Sequence, residues 1–199
     1  MKSDYGSMEG ILSGAGVAVA ASIVMLVVLV LFRSTLPADA AIAIQSAADE
    51  ICGDIGTVAV SSIPIARDDI RPAEGITVNI SSDYVVTRDL QGLEFARPLT
   101  VRVYPGNYHG AGGVDWNDTA EMREYLNATF GERGTRDFPL SAENRSLAST
   151  LLESAGLDLV SHPVCIDWSM PLTVEKLFIF VHNASNGITE SDSYVFVYR

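Results

Sequence analysis

The chain has 199 residues, with 25 acidic against 13 basic side chains and a formal net charge of −12 at pH 7. That balance argues against nucleic acid or an anionic lipid surface as partner, because both call for compensating positive charge. Its two cysteines form no CxxC pair and no Cys/His cluster, which argues against haem or metal ligation, and no cofactor is expected.

Residues 10–32 read GILSGAGVAVAASIVMLVVLVLF, an uncharged run between Glu9 and Arg33. As a helix this run extends about 34 Å, enough to cross a hydrocarbon core of about 30 Å. The expectation is an N-terminal segment 1–33 holding a transmembrane helix over 10–32, with the membrane as partner and a single tethered domain behind it. Lys2 lies before the run and Arg33 after it, so flanking charge does not orient the span. A competing reading comes from Ala38-Asp39-Ala40, which has the A-x-A form of a signal-peptidase site. Cleavage after Ala40 would release a soluble secreted domain.

Asparagine usage decides the side of the membrane. Five of the seven asparagines open an N-x-S/T sequon: Asn79, Asn117, Asn127, Asn144 and Asn183. The content of Ser plus Thr would give about one by chance. Five favour a glycosylated surface protein, with the C-terminal domain extracellular and the chain held in the cell membrane by one span. In an oxidising exterior Cys52 and Cys165 would pair, closing a loop of more than about 100 residues worth about 4–5 kcal/mol. The alternative is two buried free thiols.

The next element is an amphipathic stem helix over 34–64. Pro37 suits a first helical turn. Ile44, Ala48, Ile51, Ile55 and Val58 recur at alternating steps of four and three on one face, a stripe suited to assembly or to packing on the protein's own sheet. Pro64 closes the stem. From there a β-rich head, 65–199, is expected. Ile76–Ser81 alternates apolar and polar residues and reads as a strand, as do 84–87 and 99–104. Asp68, Asp69 and Glu74 read as a solvated acidic loop, and Tyr108–Gly113 as a mobile Gly-rich connection.

Two short helices follow. Asp118 and Glu121 form a capping box for 120–130, stopped by Gly131. Ser141 caps a second helix whose Leu147, Leu151 and Ala155 share a face, stopped by Gly156. The end is β again over 163–168, 172–182 and 193–198, with 174–181 apolar on both faces as a central strand and a turn at Asn183–Gly187. The fold class expected is α+β, with an antiparallel, sandwich-like head. His109, His162 and His182 stand at no recognisable ligand or triad spacing, and no GxSxG or HExxH is present. Trp168 reads as a core or interface aromatic.

This layout of apolar helix, amphipathic stem and β-rich glycosylated head resembles archaeal type IV pilin-like proteins. Gly6-Ser7-Met8-Glu9 places a small residue and then a glutamate ahead of the apolar run, as the family does at its processing site. The family's basic residue directly before the small one is replaced here by Tyr5. The resemblance implies a structural subunit that self-assembles, or assembles with other pilin-like subunits, through its helix and displays the head. The other readings are a binding or display module that uses the helix only as a tether, and an extracellular enzyme, for which no motif speaks.

Overall fold

In the computed structural model, residues 38–110, 113–185 and 187–199 are described. The chain divides into two units, Met1–Ile42 and Ala43–Arg199. Of the first, only 38–42 are described, and they are helical. The second opens with helix α1, residues 43–60.

The rest of the second unit is α+β. Strands β1 (Ile65–Ile70), β2 (Ile76–Ile80), β3 (Tyr84–Asp89), β4 (Glu94–Pro98) and β5 (Val103–Pro105) come first, then the short β6 (Tyr108–His109) and β7 (Asp115–Trp116). Helix α2 (Thr119–Phe130), β8 (Leu140–Ser141) and helix α3 (Ala142–Ser161) follow. The chain closes with β9 (Val164–Ile166), β10 (Leu172–Asn183) and β11 (Ile188–Tyr198). One sheet runs β1-β10-β11-β5, with β8 also on β10. A second runs β4-β3-β2-β9, and β6 pairs with β7.

The expected antiparallel head needs correction. β8 joins β10 and β5 joins β11 in parallel, because both short strands arrive from crossovers rather than hairpins. Strand β10 is central, as its apolar run implies, and it changes buried face midway. Leu172 and Val174 enter one core, whereas Leu177, Ile179 and Val181 enter another. Odd and even positions of a strand face opposite ways, so the sheet is covered on both sides. The first core is shared by α1 and both large sheets. The second is built from α2, α3 and Trp116.

The N-terminal expectation is also corrected. Among the described residues no helix is long and apolar enough to cross a membrane: α2 has 12 residues, and α3 carries Glu143, Arg145, Glu153 and Asp158. The single-span anchor, and the localisation built on it, is not supported; residues 10–32 lie outside the described residues.

Several local readings shift for identifiable reasons. β1 was expected as an acidic loop; it is an edge strand, antiparallel to β10, and its charges suit a sheet edge open to water. β4 lies at 94–98, while 99–102 form no strand. Helix α2 has the expected caps: Asp118 accepts from Glu121 N at 2.8 Å and Gly131 is left-handed at φ 73°. Helix α3 runs through Gly156 to Ser161. Its inner face is Ala148, Leu152, Ala155 and Leu159, with Leu147 exposed. Gly156 serves close approach instead of termination, since an added Cβ would meet the Tyr104 ring at 3.4 Å, and its carbonyl accepts from the Ser82 hydroxyl.

Candidate functional site

The stripe offered for assembly is used up inside the head. Ile44, Ala48, Ile51, Ile55 and Val58 are all buried, at 2% exposure or less, and all but Ala48 belong to the first core. Burying a large aliphatic side chain contributes roughly 1.5–3 kcal/mol, so unpacking the stripe would cost on the order of 10 kcal/mol, comparable with a whole domain's stability. The stripe is therefore core, and any contact made by α1 uses its other faces.

Polar contacts fix α1 in place. Lys176 is 6% exposed, and its Nζ donates to the carbonyls of Ala59 at 2.5 Å and Ser61 at 2.6 Å. A cation on the last carbonyls satisfies acceptors that a helix end leaves orphaned. This cap ends α1 at residue 60, short of Pro64. Thr87 Oγ1 donates to the Ile44 carbonyl at 2.9 Å. Asp49 pairs with Arg97 on β4, and Asp54 with Arg67 on β1, so ion pairs tie α1 to both large sheets. On its outer side Gly53 and Gly56 have nothing within 4 Å of a built Cβ, and Val60 is 84% exposed.

The cysteines do not meet. Both are free thiols. Cys52 is packed at the margin of the first core, where burial pushes its thiol pKa up. Cys165 is exposed on β9 between Val164 and the buried Ile166, and it pairs with Asn79 on the outer face of its sheet. A disulfide would have to pass through that sheet, so the expected Cys52–Cys165 bond is corrected.

None of the five sequon asparagines is buried. Asn117 is exposed, and Asn79, Asn127, Asn144 and Asn183 are half-exposed. They lie on β2, before and within α2, on the first turn of α3, and at the end of β10.

The structure brings together residues that spacing kept apart. A cleft of about 410 Å³ is lined by Tyr108, His109, Asp158, His162, Cys165 and Arg199, among others. His162 Nδ1 lies 2.9 Å from Asp158 Oδ1, and His109 pairs with Asp115 across the β6–β7 ladder. Arg199 Nη1 donates to the Cys165 carbonyl at 3.2 Å. His182 is elsewhere, beside Thr189. Such a cleft offers imidazole, guanidinium and phenol groups to a polar ligand. Among the described residues, no group of three or more His, Cys, Asp or Glu is placed to hold a metal ion. Trp168, read as a core or interface aromatic, is 55% exposed, whereas Trp116 is fully buried against Tyr108 and Tyr125.

Fold and site define an α+β head with an integral helix, a polar cleft and surface sequons. Comparison with known protein families, characterised proteins and solved structures finds no match.

Proposed function

We propose that this chain is a non-enzymatic, N-glycosylated structural subunit of pilin-like kind that self-assembles. The observation carrying this reading is the helix built into the head: α1 is held by a buried stripe, a lysine cap and ion pairs to two sheets. A head rigidly fixed to its helix moves as one body with any contact the helix makes, as an assembling subunit requires. Supporting it, the side of α1 away from the core carries Gly53 and Gly56, where a neighbouring backbone has room to approach. The apolar sequence 10–32 supplies the remaining assembly contact.

Electron microscopy and sedimentation of the purified full chain test this. The expected result is elongated polymers that disappear when residues 1–42 are deleted, while far-UV circular dichroism of the remaining head is retained. Polymers formed equally well without 1–42 would sink the proposal. The cleft favours a second reading, a recognition module binding a polar ligand beside His109, His162 and Arg199. A full chain that stays monomeric under all conditions would shift the balance to it.

A further inference from the structure

The five sequons are unequal once the head is folded. Asn79 sits mid-strand, with its backbone paired to Val86 on β3 and Cys165 on β9, and the Ser81 hydroxyl donates to the Tyr84 carbonyl at 3.3 Å. In Asn117-Asp-Thr119 the acceptor amide donates from Nδ2 to Glu121 at 2.8 Å. Thr119 is buried, with Oγ1 donating to Glu175 at 2.6 Å. Asn127 lies inside α2, where side chains two apart point about 200° away from each other. Asn144 is on the first turn of α3 and donates from Nδ2 to Glu132 at 2.9 Å. The arginine inside its sequon, Arg145, is anchored to Asp192 and Glu190.

Asn183-Ala-Ser185 is placed at a strand end, not in mid-strand or inside a helix. Asn183 is the last residue of β10, and its Oδ1 accepts from Ser185 N at 3.0 Å. This local turn uses the amide's oxygen and leaves Nδ2 without a partner among the described residues. It also folds Ser185 back towards Asn183. Ala184 and Ser185 are exposed. Beside them lies an open groove of about 380 Å³, with Glu132, Ser141, Glu143 and His182 in its lining, which leaves room for a sugar next to the amide.

We infer that the folded head presents Asn183 as its glycan acceptor, and that the other four sequons are withheld by secondary structure and hydrogen bonding. The inference rests on the glycosylated-head reading above and adds which site is used. The co-reactants are a glycosyl phosphate donor and a transferase. The bond between Asn183 Nδ2 and the sugar's anomeric carbon forms as the anomeric carbon–oxygen bond to phosphate breaks. The phosphate leaves with the bonding electron pair, and one Nδ2 proton passes to a base on the transferase. An amide nitrogen is a weak nucleophile, so the transferase must grip both the amide and the nearby hydroxyl. Among the described residues, the Asn183 turn offers an Nδ2 with no partner together with an exposed Ser185.

The test is glycopeptide mass spectrometry of the full chain purified from its native cells, followed by intact-mass measurement of Asn183→Gln and Ser185→Ala variants. The expected result is highest occupancy at Asn183 and loss of one glycan mass in both variants. Occupancy at any of the other four sequons with Asn183 bare, or equal occupancy at all five, overturns the inference and leaves the glycosylated head standing. A chain bare at all five overturns both.

Discussion

Lys176 sets where the first helix ends. Its bonds to the carbonyls of Ala59, in α1, and of Ser61, just past the helix end, are charge-assisted and partly buried, and its ammonium lies 5.2 Å from the Phe178 ring centroid. Lys176→Met keeps the stem but strands two carbonyls, and should cost about 2–3 kcal/mol in urea unfolding. An unchanged midpoint would contradict the cap. Tyr198 supplies a pH signature. Burial first, then its hydrogen bond to Glu175 at 2.9 Å, pushes its phenol up to about 12. In the unfolded chain the phenol ionises near 10. Between those values the native state holds the proton and the unfolded state does not, so stability falls as pH rises through that window. Tyr198→Phe should lose about 1 kcal/mol at pH 7 and flatten the decline between pH 10 and 12. An unaltered alkaline limb would show that Tyr198 does not drive it. Lys176 stands out in the sequence as the last charged residue before the apolar run 177–181 of β10, but its partners, more than a hundred positions earlier in the chain, leave no local trace.

At the scale of elements, what could be read depended on periodicity. The α2 caps, the β10–β11 hairpin and the α1 stripe follow from local chemistry, and the structure has them. β1 was missed because Arg67, Asp68 and Asp69 mask an edge strand whose neighbour lies far along the chain. On the inner face of α3 the expected Ala155 is buried and Leu151 packs at the margin of the second core, but Leu147 is exposed; Ala148, Leu152 and Gly156 face inward instead, the small residues letting the helix approach Tyr104. The cleft joins β6, the end of α3 and β9, and only the fold brings His109 beside His162. The glycines of α1, Gly53 exposed and Gly56 half-buried, are legible in another way. Each costs about 0.5–1 kcal/mol against alanine in a helix, and nothing in the head requires either. Gly53→Ala and Gly56→Ala should therefore raise stability by about that amount each in thermal unfolding. A loss would mean that the head itself needs the open backbone.

At the scale of the whole molecule, one helix joins two sheets, and two cores lie on opposite faces of a single central strand. The acidic surface, net −12 overall, keeps heads apart unless a specific contact draws them together. The proposed contact is the outer side of α1, since its inner stripe is committed to the core. The most direct measurement is sedimentation velocity with electron microscopy on the full chain and its Gly56→Trp variant. The account predicts polymers for the parent chain, and for the variant a monomer whose head is no less stable to heat than the parent's. A parent chain that never polymerises, or a variant that polymerises as the parent does, would contradict it.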